Sequence, residues 1–120
     1  MAQLDDRSLT RVAHYFKALA ETPRLKLLNA LRERERNVTE LTELLGCSQA
    51  NVSKHLALLA THGLVERNAR GTSVYYRIAD PRTYQLCDLV CGQIAERLNE
   101  EARSQAPTLS RPARKARRRS

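Results

Sequence analysis

Tryptophan is absent and phenylalanine occurs once in the 120 residues. The chain therefore lacks the aromatic platforms on which unpaired bases stack, which disfavours a single-stranded RNA reader. No apolar run reaches the 18 or so residues of a membrane-spanning helix, and the opening MAQLDDRSLT has no basic region followed by an apolar stretch. No membrane partner and a cytoplasmic location are expected. Glycine-rich phosphate loops and nucleophile elbows are missing too, and the three histidines His14, His55 and His62 are scattered. An enzyme is disfavoured on those grounds. Cysteine is sparse: Cys47, Cys87 and Cys91 are expected as reduced thiols unless they have a redox role.

What is present begins with charge. The formal net charge is +8, which favours a polyanionic partner. The excess is uneven, because Arg111, Arg114, Lys115, Arg117, Arg118 and Arg119 put six positive charges into the last ten residues and leave +2 for the rest. With Pro107 and Pro112, the segment 106–120 reads as a disordered basic tail. Residues 1–105 read as one domain with a small core, for which a dimer would help.

The stretch Val38 to Val65, VTELTELLGCSQANVSKHLALLATHGLV, reads as two short helices around a tight turn. Asn37 caps the first and Glu40 completes a capping box, with Val38, Leu41, Leu44 and Leu45 as its apolar face. Gly46 stands where a helix end favours a left-handed residue. Ser48 caps the second helix, whose buried side is Val52, Leu56 and Leu59, and Gly63 closes it. That helix exposes Gln49, Asn51, Ser53, Lys54 and His55 near its start, the half of a recognition helix that meets base edges. Glutamine and asparagine pair with adenine, serine with several bases, and lysine with guanine or phosphate. Double-stranded DNA is the partner this face fits.

Two strand-like runs follow, Val65 to Ala69 and Ser73 to Ile78, joined through Arg70-Gly71, and together they read as a β-hairpin wing. Arg67, Arg70 and Arg77 give it charge suited to phosphate or a minor groove. Upstream, Leu9 to Ala20 forms one helix with Leu9, Val12, Ala13, Phe16, Leu19 and Ala20 on a face. Thr22 caps the next helix, Pro23 opens it, Leu25, Leu28 and Leu31 face inward, and the mixed-charge run Arg32 to Arg36 reads as a solvated helix end. Downstream, a helix from about Pro81 to Ser104 carries Cys87, Val90, Cys91, Ile94 and Leu98 as a stripe. First and last helices together offer a dimer surface. The fold class is mainly α with a small β-hairpin, a winged helix-turn-helix.

Cys87 and Cys91 lie four apart, so their Cβ atoms are about 5–6 Å apart on one helix face. Two readings stay open for them: soft ligands for a thiophilic ion, completed across a two-fold axis, or small apolar residues in an interface. Cys47, in the turn between the two central helices, is expected to pack, with an effector role second.

The runs FKALAETPRLKLLNAL at Phe16 to Leu31, the helix pair above, and RGTSVYYRIAD at Arg70 to Asp80 resemble the ArsR/SmtB family of bacterial winged-helix repressors over roughly Leu9 to Leu98. The resemblance implies a homodimer on a palindromic operator that changes grip when an effector binds. The arsenic-sensing members carry a Cys-x-Cys pair at the start of the helix that here begins Asn37-Val38-Thr39-Glu40, so that site is absent. The zinc-type site on the last helix uses an Asp and a His two apart; here Asp80 is followed by Arg82, with Gln93 and Glu96 further along. Thiol chemistry remains: As(III) or a soft divalent metal as effector on Cys87 and Cys91, or oxidation by reactive sulfur or oxygen species, with no cofactor required.

Overall fold

The structure, a computed structural model, describes residues 3–105, so the basic tail lies outside the described residues. The element order is α1 (Asp6–Leu19), α2 (Thr22–Ala30), β1 (Arg36–Asn37), α3 (Val38–Leu45), α4 (Gln49–Thr61), β2 (Val65–Arg70), β3 (Ser73–Ile78) and α5 (Arg82–Gln105). Packing divides the chain between Pro81 and Arg82 into two units, one holding α1 to β3 and one holding α5.

Helix α1 starts three residues before Leu9 because Asp5 caps it, accepting a hydrogen bond from the Ser8 amide at 2.8 Å. That bond holds the Asp5 carboxyl below the ordinary carboxylate range. Only Ala18 and Leu19 of α1 are buried, while Leu9, Val12 and Phe16 are exposed. In α2 the cap position falls to Glu21, which makes no side-chain cap bond, and Thr22 is the first helical residue. Leu25 is exposed, contrary to its expected inward placement. Arg24, Leu27, Leu28 and Leu31 form the buried row at i, i+3, i+4 and i+7, and Leu25 stands about 100° away from Arg24 on the helix.

The mixed-charge run is a loop rather than a helix end, since α2 stops at Ala30. It ends in β1, a two-residue strand too short to show a period. Arg36 and Asn37 of β1 pair antiparallel with Tyr76 and Tyr75, placing β3 in the centre of a three-stranded sheet of order β1-β3-β2. The hairpin register sets Val65 opposite Ile78 and Arg70 opposite Ser73. Its two loop residues are therefore Gly71 and Thr72, one place later than expected, with Gly71 at φ +60°, as a tight hairpin turn requires at its first loop position.

The core of this unit gathers Leu27, Leu41, Val52, Leu56, Leu59 and Leu64, all essentially without solvent contact. Each full burial of a leucine or valine contributes about 1.5–3 kcal/mol. The three α4 residues among them, Val52, Leu56 and Leu59, lock that helix against the body and leave its opposite side to water. In α5, Thr83 and Tyr84 are buried whereas Leu89, Val90, Ile94 and Leu98 are exposed. Among the described residues no helix is long and apolar enough to cross a membrane.

Candidate nucleic-acid interface

The helix pair is built by local capping. Asn37 Oδ1 accepts from the Glu40 amide at 2.8 Å while Glu40 Oε1 accepts from the Asn37 amide at 3.0 Å, so the expected capping box is complete. Glu40 also takes Arg34 Nη2 at 2.7 Å. The Arg34 guanidinium and the Asn37 amide hold its carboxyl below the ordinary range. Helix α3 ends in a left-handed Gly46 at φ +68°, whose amide reaches the Thr42 carbonyl at 2.9 Å. Two residues later Ser48 Oγ accepts from the Asn51 amide at 3.1 Å and starts α4. Three residues, Gly46 to Ser48, thereby join the two helices, and the α4 N-terminus is left at the surface.

Gln49, Asn51, Ser53 and Lys54 are all exposed on the first half of α4, and Ser48 is exposed at its cap. His55 differs: it is half-buried, with Nδ1 3.4 Å from Arg24 Nη1. Its ring thus faces the protein body, which corrects its expected place on the open polar face. Arg24 is the residue that periodicity missed. Although only 7 % exposed, it donates through Nε to the Ala18 carbonyl at 2.6 Å and through Nη2 to the Lys17 carbonyl at 3.2 Å. Both acceptors are carbonyls of the last turn of α1, where intrahelical donors run out, and the Lys17 carbonyl also accepts from the Ala20 amide at 3.1 Å. Glu21 lies 3.4 Å from Arg24 Nη1, so one guanidinium ties α1, α2 and α4 together. An arginine inside an apolar row was the available signal.

On the wing, the three arginines are not equivalent. Arg67 is exposed and pairs with no acid among the described residues. Arg77 is held by Glu66, with Nε at 2.9 Å and Nη2 at 2.8 Å from Oε1. Arg70 pairs with Glu35 and lies 4.5 Å from the centre of the Tyr75 ring. The Glu66–Arg77 pair was legible, because those residues stand directly opposite in the hairpin register. The Glu35–Arg70 pair was not, since it joins the loop before β1 to the wing across a long sequence separation.

The thiols are separated by unit. Cys47 is exposed in the turn, its Sγ 3.7 Å from the Leu45 carbonyl, so the expected packing role fails: the side chain meets the end of α3 and solvent rather than the core. Cys87 is half-buried and Cys91 exposed, both on α5. Among the described residues no three histidine, cysteine or acidic side chains gather as a metal site.

Residues 22–67, which run from the start of α2 into the wing, match the family described as "Bacterial regulatory protein, arsR family". The chain is 38% identical over 87 residues to the transcriptional regulator NmtR of Mycobacterium tuberculosis, covering 72% of each chain. It is 40% identical over 74 residues to a probable mercury resistance operon repressor of Streptomyces lividans, covering 62% of this chain and 59% of that one. The solution structure of a homodimeric winged helix-turn-helix DNA-binding domain of Mycobacterium bovis, a possible ArsR-family regulator, superposes with a TM-score of 0.71 at 37% identity. That match covers 83% of this chain and 95% of the other. With the capped helix pair, the wing and these likenesses in agreement, the chain belongs to the arsR family: it is a winged helix-turn-helix DNA-binding transcriptional regulator and not an enzyme.

Proposed function

We propose that the protein is a homodimeric repressor that binds a palindromic operator through α4 and leaves it when a soft metal ion is captured by Cys87 and Cys91. The observation that carries the docking is the split of α4: Val52, Leu56 and Leu59 are buried while Gln49, Asn51, Ser53 and Lys54 are exposed. Gln49, Asn51 and Ser53 meet base edges in the major groove, and Lys54, the Ser48 cap and Arg67 meet phosphate. Arg70 and Arg77 must exchange Glu35 and Glu66 for phosphate and so contribute less.

Dimerisation uses the exposed apolar residues of α1 (Leu9, Val12, Phe16) and α5 (Val90, Ile94, Leu98), each stripe needing a cover that its own unit does not provide. The cysteine pair interrupts the α5 stripe. Two thiols in one chain are too few for a closed site, and a two-fold axis brings a second pair. Metal capture there releases the thiol protons and shifts the spacing of two α4 helices that must match half-sites about 34–36 Å apart. The mercury named for the Streptomyces lividans relative is a soft ion of this kind.

The test uses a duplex that the protein selects from a random-sequence pool. Hg(II), Cd(II), As(III), Zn(II), peroxide and a persulfide donor are titrated against its complex with the parent, Cys87→Ser, Cys91→Ser and Cys47→Ser. The expected result is release by the soft ions, weakening binding about 5- to 150-fold, lost in Cys87→Ser and Cys91→Ser but kept in Cys47→Ser. Release confined to peroxide or persulfide assigns the pair to redox chemistry instead. Equal release in all four proteins makes the cysteines packing residues.

A further inference from the structure

A groove of about 540 Å³ lies between α2 and α3, away from the recognition residues, and its lining is of two kinds. Lys26 and Arg36 supply two cations against the one acid Glu33, and Leu44 and Leu45 supply an apolar wall. Leu44 is 58 % exposed although its spacing on α3 matches the buried Leu41. Lys26 pairs with no acid among the described residues, and Glu33 reaches Arg36 Nη2 only at 3.8 Å. Arg36 is held in place, its Nε donating to the Ala30 carbonyl at 2.7 Å.

We propose that this groove binds an amphipathic organic anion, a carboxylate bearing an aliphatic or aromatic body, with the carboxylate between Lys26 and Arg36 and the body on Leu44 and Leu45. The volume lies within the range of about 300–1,000 Å³ typical of small-molecule sites. An inorganic anion would leave the leucines wet, and a neutral apolar ligand would cover cations without answering their charge. A carboxylate with an apolar body satisfies both halves and offsets the local excess of positive charge. The site is also continuous with the wing: Arg36 pairs with Tyr76 in the sheet, and its neighbour Glu35 holds Arg70.

The probe is decanoate, kept below its micelle concentration and titrated into the full-length protein without DNA, with assigned methyl and amide NMR shifts as the readout. Acetate and decyltrimethylammonium are run alongside. Decanoate should give saturable shifts at Leu44, Leu45 and the Lys26 amide, acetate weaker ones, and the cationic amphiphile none at those residues. Lys26→Glu should weaken decanoate about three- to tenfold and Leu44→Ser about fivefold. Both side chains are exposed, and a thermal melt unchanged from the parent confirms that each variant folds. The proposal is overturned if decanoate moves only the α1 and α5 stripes, if decyltrimethylammonium shifts the groove equally, or if both variants bind decanoate as the parent does.

Discussion

Helices α4 and α5 carry apolar residues at similar helical spacing, yet they use them in opposite ways. In α4 the spaced residues Val52, Leu56 and Leu59 are buried, and the polar side is what remains exposed. In α5 the spaced residues Val90, Ile94 and Leu98 are themselves exposed, Ile94 by 54 % and Leu98 by 53 %. Periodicity therefore identifies a face that must be covered but not what covers it. For α4 the cover is the rest of its own chain, which fixes the recognition helix rigidly. For α5 the cover we propose is a second chain, which would make that helix the place where an effector alters a dimer without unfolding a domain.

The largest effects are expected from one substitution in each apolar row. Leu56→Ala opens a cavity in a fully buried site and should cost about 2–5 kcal/mol of folding stability, read from urea denaturation. Ile94→Glu should leave the far-UV dichroism of the folded chain intact while converting a dimer to a monomer in sedimentation. An Ile94→Glu protein that kept the parent mass would remove the distinction drawn between the two helices.

The next largest effect sharpens the α4 side. Arg24→Ala leaves the Ala18 carbonyl without its buried side-chain donor and removes the part-buried contacts to the Lys17 carbonyl and His55, at about 1–3 kcal/mol for the one buried group left unpaired. Urea denaturation should register that loss, and the His55 ring resonances should move. Unchanged stability would mean that those groups find water at no cost.

The smallest effect concerns the helix before the turn. Asn37→Ala removes the cap of α3 and should cost about 0.5–2 kcal/mol, again by urea. Glu40, its partner in the box, adds a pH dependence. Its carboxyl is held below the ordinary range, first by Arg34 and then by the Asn37 amide, so the folded chain binds that proton less readily than the unfolded chain. Its contribution is present in full above the ordinary carboxylate range and is lost as pH falls through the lowered folded value. The acid side of a stability–pH curve should accordingly flatten in Glu40→Gln; an unchanged curve would assign acid sensitivity to other carboxyls.

Local chemistry made most of the recognition unit legible from sequence. The Asn37–Glu40 box, the left-handed Gly46, the Ser48 cap and the Val52, Leu56, Leu59 row all depend on neighbours within about two helical turns. What escaped depends on distant partners. Strand β1 has two residues and exists only because Tyr75 and Tyr76 pair with it. The inward face of α2 contains Arg24 where a leucine was expected, because the end of α1 presents carbonyls there. Leu44, set on the apolar face by its helical spacing, and Cys47, expected to pack in the turn, remain exposed. The wing arginines looked equally available until Glu35 and Glu66 were found against two of them.

The most direct test is the ratio of affinities for the selected duplex and a scrambled one, measured at fixed salt for the parent, Gln49→Ala and Ser53→Ala. Both side chains are exposed, so each variant should fold and dimerise as the parent does. The expected result is a loss of about 1–3 kcal/mol on the selected duplex with relaxed preference at one base position, and nearly unchanged affinity for the scrambled duplex. Unchanged affinity and unchanged sequence preference in both variants would contradict the placement of α4 in the major groove.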